Sequence, residues 1–217
     1  MYLSLLDSRQ NQVSMALKTL VKVGNITNLS DARYCAGMGV DLLSFPIAES
    51  SANRVSPEAF KEITDWVSGP KLVGELSGSS LEEIKTSLLS YDLDAIETDN
   101  MDLVESIQLL GKEVIYRLAI EDESDLDKIK SKLSYLDELA KMIVFTCSKE
   151  DLFAQIDEKI MYYGGNLRLV KGFGITKESV ADLTQFKGLE MMGSPEERPG
   201  YKDFGEVMDV LELLEVD

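Results

Sequence analysis

Short apolar runs of four to six residues alternate along this chain with longer stretches whose apolar residues recur every three or four positions. The first pattern reads as buried strand and the second as helix with one apolar face. Eight short runs can be counted, at residues 20–24, 41–45, 71–75, 95–98, 114–119, 142–146, 167–171 and 189–192. A helical stretch is expected after each. The spacing is clearest for Leu81, Ile84 and Leu88, for Leu126, Ile129, Leu133 and Leu136, and for Phe204, Val207, Met208 and Leu211. Start and stop signals agree. Ser56-Pro57 places a capping residue before a first-turn proline, Ser80 with Glu83 three residues on reads as a capping box, and Gly39 after Met38 ends the first helix.

Repeated strand–helix units predict a parallel sheet. Eight of them in about 200 residues leave room for little but a closed (β/α)₈ barrel, an α/β fold of the TIM type, although periodicity does not distinguish it from an open doubly wound sheet. The 217 residues fit a single domain. The barrel is expected over residues 20–217. Residues 1–19 form an N-terminal extension carrying Leu3, Leu5, Leu6, Val13, Met15, Ala16 and Leu17, too apolar for a free tail. It is expected to pack on the barrel, as a helix closing its bottom or as a dimer contact.

Composition narrows the partners. A formal charge of −17 repels nucleic acid and anionic membrane. A small phosphorylated metabolite remains compatible, because backbone N–H groups can hold a phosphate inside an acidic protein. The absence of histidine removes the commonest general base and the commonest metal ligand. Cys35 and Cys147 have no metal-ligand spacing, so no metal is expected. No run is long enough for a membrane helix, and no signal peptide is apparent; the expected location is the cytoplasm, as monomer or homodimer.

Lys22-Val23-Gly24-Asn25-Ile26-Thr27, then Ser30-Asp31-Ala32 and Ala36-Gly37-Met38-Gly39-Val40-Asp41, resembles the opening of the phosphoribosylanthranilate isomerases. Arg54-Val55-Ser56-Pro57-Glu58, Lys71-Leu72-Val73-Gly74, Gly172-Phe173-Gly174-Ile175-Thr176, and Gly193-Ser194-Pro195-Glu196 with Pro199-Gly200-Tyr201-Lys202-Asp203 continue the resemblance in order, over roughly residues 20 to 215. It implies tryptophan biosynthesis and an Amadori rearrangement, an aldose–ketose isomerisation without cofactor. In it, a base takes the proton from ribose C2′ while an acid protonates the ring oxygen.

In that family the base is a cysteine closing strand one and the acid an aspartate closing strand six. The matching residues here are Gly24 and Thr146, and neither can do that work at neutral pH. Asn53 stands where the family has its substrate arginine, with Arg54 displaced by one, and Glu97-Thr98-Asp99-Asn100 replaces Q-L-H-G.

Function then rests on other groups. Gly172, Gly174, Gly193 and Ser194 lie in the loops after strands seven and eight, where barrels bind phosphate through N–H groups. The alternative is that these glycines serve only to close two βα turns. Arg54 is a candidate anion clamp, or else an exposed loop charge. Glu97 and Asp99 share a strand parity and could form a carboxylate pair in the mouth; alternatively they are rim charges salt-bridged to Arg117 and Lys171. Cys147 is a displaced thiol base or a small buried hydrophobe. The two functional readings are a phosphoribosylanthranilate isomerase-like enzyme with weak or lost activity, and a non-catalytic binder of a phosphorylated metabolite or a protein partner.

Overall fold

The structure is a computed structural model, and it describes residues 16–180, 186–193 and 205–216. Eight strands close into one parallel barrel in sequence order. They are β1 (Leu20–Gly24), β2 (Leu42–Pro46), β3 (Lys71–Glu75), β4 (Ala95–Thr98), β5 (Glu113–Ile120), β6 (Met142–Cys147), β7 (Arg168–Lys171) and β8 (Gly188–Met192). Closure is made by β8 beside β1, with Lys22 opposite Glu190 and Gly24 opposite Met192. The open doubly wound sheet is thereby excluded, and each expected strand lies within two residues of its observed bounds.

Seven α-helices are described: α1 (Leu29–Gly37), α2 (Pro57–Thr64), α3 (Leu81–Ser87), α4 (Val104–Leu109), α5 (Glu123–Leu136), α6 (Phe153–Ile160) and α7 (Gly205–Leu214). The helix expected after the seventh strand is not among them: residues 177–180 form a turn, and the following five lie outside the described residues. Ser56 caps α2 by accepting the Ala59 N–H, with Pro57 in the first turn. Ser80 caps α3, but the capping box is only half made, because Glu83 Oε1 takes the Glu49 N–H instead of reaching back. Gly39 follows α1 at φ 78°, the left-handed turn that a side chain would strain.

Period-two alternation splits the core in two. Leu42, Val73, Ala95, Ile115, Met142, Val144 and Val170 fill the barrel interior, with Leu20 against them. The opposite parity, including Val21, Val23, Leu43, Phe45, Ile96, Ile143, Phe145 and Leu169, packs outward under the helices. Above the apolar interior layer the inward positions turn polar.

Of the extension, residues 16–19 are described. Leu17 bridges Glu215 in antiparallel fashion, Lys18 N–H donates to Leu214 O, and Val216 N–H donates to Ala16 O, so the chain entering β1 is tied to the end of α7. Residues 1–15 lie outside the described residues. Deleting residues 1–19 is expected to cost roughly 2–3 kcal/mol, since each backbone bond contributes about 1 kcal/mol. For a chain of this size that corresponds to a melting temperature lower by roughly 5–10 °C. A calorimetric scan showing no change would refute the packing of this segment.

Candidate active site

The polar layer is built from one inward residue on each of six strands. Lys22 on β1 is fully buried, Ser44 on β2 likewise, and Glu97 on β4 and Glu190 on β8 are 1% and 4% exposed. Glu75 ends β3 and Arg117 lies in β5, both partly exposed. Lys22 Nζ lies 2.8 Å from Glu97 Oε2 and is also hydrogen-bonded to Glu190 Oε1. Arg117 bridges the same two carboxylates, with Nε and Nη2 each 2.6 Å from Glu97 Oε1 and Glu190 Oε1.

Burial by itself would push the Glu97 carboxyl up, but Lys22 and Arg117 outweigh it and hold it at about 2. Burial likewise works against the charge on Lys22, and Glu190 with Glu97 reverses that, raising the ammonium above the ordinary lysine range. Arg117 is raised by the same two carboxylates against its own burial. Glu97 is thus held as an anion, with no proton to give near neutrality, and Glu190 shares both of its cations.

The network continues toward the mouth. Lys22 Nζ donates to Ser44 Oγ at 2.8 Å, and Ser44 Oγ donates to Glu75 Oε1 at 2.7 Å. The Asn25 N–H donates to the same oxygen at 2.8 Å. Asn25 holds a left-handed conformation at φ 54°, which asparagine tolerates better than most residues, and its side-chain amide donates to Gly193 O.

The carboxylate pair expected from Glu97 and Asp99 is not formed. Glu97 is inside the barrel, whereas Asp99 is exposed and accepts the Gly78 N–H at 2.8 Å on the rim. Of the two cations expected to neutralise the rim, Arg117 does pair with Glu97. Lys171 does not enter the mouth: it has the outward parity of β7 and sits 4.9 Å over Phe173 and 5.5 Å over Phe186, with Asp157 3.9 Å away. The long apolar stem packs among the helices while the ammonium faces aromatic rings.

Cys147 also has the outward parity; its thiol donates to Lys149 O at 3.4 Å, away from the barrel axis. Thr146, one residue earlier, is the inward residue that closes β6. Arg54 is exposed in the loop after β2 and donates through Nε to Ile47 O at 3.1 Å.

The glycine loops divide in the same way. Gly193 N–H donates to Gly24 O at 2.7 Å and Gly172 N–H to Phe145 O at 2.9 Å, so both donors are committed to the barrel and are not free for a phosphate. Gly174 is different. It is exposed, holds φ 57°, and no described residue accepts from its N–H. A Cβ there would meet the Phe153 ring at 2.7 Å. Phe173 does not block this loop, since its buried ring packs on Phe153 and Phe186. Ser194 and Pro195 lie outside the described residues.

Beside Gly174 a cavity of about 540 Å³ opens between the loop after β7, the end of β8 and α7, with Gly172, Thr176, Lys177, Glu190 and Met192 on its walls. The other side of the mouth is occupied. A Cβ on Gly24 would lie 2.8 Å from Met192 Sδ and 3.1 Å from Glu75 Oε1. Among the described residues no group of histidine, cysteine or carboxylate side chains is placed to hold a metal ion, and no helix is long and apolar enough to cross a membrane.

Lys22, Ser44, Glu75 and Glu190 were not among the residues expected from sequence. For Lys22, Glu75 and Glu190 a signal was present: a charged residue inside a strand buried on both faces is rare unless it is paired.

No protein-family model matches the chain. Among curated proteins it is similar to N-(5'-phosphoribosyl)anthranilate isomerase of Sulfurihydrogenibium sp., 25% identical over 90% of this chain and 98% of the relative. The protein of the same description from Rubrobacter xylanophilus is 29% identical over 84% of this chain and 92% of the relative. Among solved structures, phosphoribosylanthranilate isomerase from Thermotoga maritima superposes with a TM-score of 0.71 at 23% identity, over 89% of this chain and 97% of that one. A phosphoribosylanthranilate isomerase in complex with reduced 1-(o-carboxyphenylamino)-1-deoxyribulose 5-phosphate gives 0.69 at 22%, with the same coverage.

Proposed function

We propose, on the premise that this chain belongs to the phosphoribosylanthranilate isomerase family, that it takes a phosphorylated sugar amine at the C-terminal face of its barrel and rearranges it slowly. The observation that carries this reading is the division of the mouth. The end beside β7 and β8 keeps a cavity of about 540 Å³ with Gly174 on its edge, whose N–H no described residue accepts. The strand ends where the family's base and acid are expected carry Gly24 and Thr146.

Barrels commonly hold the phosphate of their substrate at the loops after strands seven and eight, and a backbone donor suits an anion in a protein of charge −17 better than long-range attraction does. With Gly172 and Gly193 committed elsewhere, Gly174 is the one described glycine of these loops whose N–H no described residue accepts. Calorimetric titration with ribose 5-phosphate is expected to show saturable binding, at least about tenfold weaker in Gly174→Val, because a branched side chain cannot keep φ 57° or clear Phe153. Equal binding by a correctly folded Gly174→Val protein would overturn this placement.

A non-catalytic binder is the second reading, favoured by Met192 lying across Gly24. It requires ribose 5-phosphate binding with no measurable turnover of phosphoribosylanthranilate.

A further inference from the structure

We propose that Glu75 is the proton-accepting group of this mouth, a role that rests on the isomerase reading above. Charge balance points to it first. Two cations, Lys22 and Arg117, face three carboxylates, Glu75, Glu97 and Glu190. Both cations are held in direct contact by Glu97 and Glu190, so the surplus negative charge rests on Glu75. No described ammonium or guanidinium is paired with it, and it alone of the three is partly exposed.

Orientation points to it next. Both donors that reach Glu75, Ser44 Oγ–H and Asn25 N–H, converge on Oε1. Oε2 is left without a described donor while the carboxylate as a whole is fixed in place. One oxygen is anchored and the other, with no described donor on a partly exposed side chain, is left able to accept a proton. The Lys22–Ser44–Glu75 relay links the anchor to the buried ion network, so the carboxylate cannot swing away without breaking it.

Gly24 supplies the third observation. A side chain at that position would begin 3.1 Å from Glu75 Oε1, so the missing side chain on β1 and the carboxylate on β3 share one space. Glycine at the end of β1 is what lets a carboxylate stand there.

The step balances without a co-reactant. Ring opening of a phosphoribosyl amine, with a proton taken from water, gives an iminium ion. Glu75 removes the C2 proton; the C–H pair becomes the C1–C2 double bond, and the C=N π pair moves to nitrogen. Returning a proton to C1 and losing the enol hydroxyl proton yields the aminoketose. Starting material and product are isomers, so nothing is oxidised or reduced overall.

The test uses the full chain and phosphoribosylanthranilate generated in situ, followed by its fluorescence, with ribose 5-phosphate binding and thermal melting measured in parallel. Glu75→Gln is expected to keep binding and lose about 100-fold in kcat, within the range of about 10²- to 10⁴-fold that a positioned base contributes. Glu75→Asp is expected to recover part of that loss. If Gln does not fold, Glu75→Asp decides: a folded Asp variant with wild-type kcat and unchanged ribose 5-phosphate binding overturns the proposal. Turnover by Glu75→Gln at the wild-type rate overturns it too, as does a wild-type protein that binds ribose 5-phosphate yet gives no rate above solution. Absence of ribose 5-phosphate binding by the wild type would instead strike the isomerase reading, and this proposal with it.

Discussion

Phosphoribosylanthranilate turnover by the purified chain is expected to fall on the order of 10³- to 10⁴-fold below that of a family member carrying both a base and an acid. The deficit is assigned to the acid. Thr146 closes β6 on the inward face, where a hydroxyl cannot deliver a proton to the ring oxygen at neutral pH. Glu75 already stands in the space beside Gly24.

The two single replacements should therefore behave differently. Thr146→Asp supplies the missing acid and is expected to raise kcat by about 10- to 100-fold, short of full recovery. Asn53 and the Glu97 to Asn100 segment also depart from the family, and a substrate misplaced by about 1 Å can lose on the order of 100-fold. Gly24→Cys is expected to give no gain or a loss. Its Cβ would press on the anchored carboxylate of Glu75, and a thiolate next to a carboxylate is disfavoured. Met192 would yield more easily, being half exposed and flexible. A gain from Gly24→Cys with none from Thr146→Asp, measured as kcat on folded proteins, would reverse these assignments.

Lys22→Met is expected to produce the largest loss of stability of any single change in the barrel interior. The replacement fits the volume but leaves Glu97 and Glu190 buried against Arg117 alone, and uncovering a buried charge costs about 3–5 kcal/mol. For a chain of this length the melting temperature should fall by about 10 °C or more. The double variant Lys22→Met with Glu97→Met should recover part of that loss, because Arg117 and Glu190 then form a balanced pair. A single variant melting within a degree or two of wild type would show that the network does not hold the barrel.

Acid should act on the same network. Glu97 is depressed to about 2, so its contribution is complete above the ordinary carboxyl range near 4.5 and is lost as pH falls through about 2. On the order of 3 kcal/mol is at stake, at about 1.4 kcal/mol for each tenfold change in proton affinity. Lys22, raised, contributes below the ordinary lysine range and loses that contribution only as pH rises above it. Melting temperatures that do not decline between pH 5 and pH 2 would contradict this account.

Local sequence determined the frame of this protein. Val21, Val23, Leu43, Phe45, Ile143 and Phe145 follow the alternation of a strand whose two faces are both covered, and Ser56, Ser80 and Gly39 mark helix ends through bonds to neighbours a few residues away. Such signals need no knowledge of the distant chain. The strand ends at Gly24 and Thr146 were placed by the resemblance to the isomerase family, which matched them to its base and acid positions.

Only closure of the barrel decided which charges meet. Lys22 and Glu190 are 168 residues apart and become neighbours because β8 lies beside β1. Glu97 and Asp99 share a parity in sequence, yet β4 ends between them, so one is drawn into the interior by Lys22 and Arg117 while the other turns to cap Gly78. Lys171 was placed at the mouth by its nearness to a strand end, and its parity sends it outward to Phe173 and Phe186. The availability of a backbone donor was equally hidden: Gly193 and Gly174 read alike as loop glycines, but β1 supplies a carbonyl to the first and nothing described accepts from the second. Coulomb and hydrogen-bond energies depend on distance through space, and chain separation carries almost no information about that distance until the strand order and register are set.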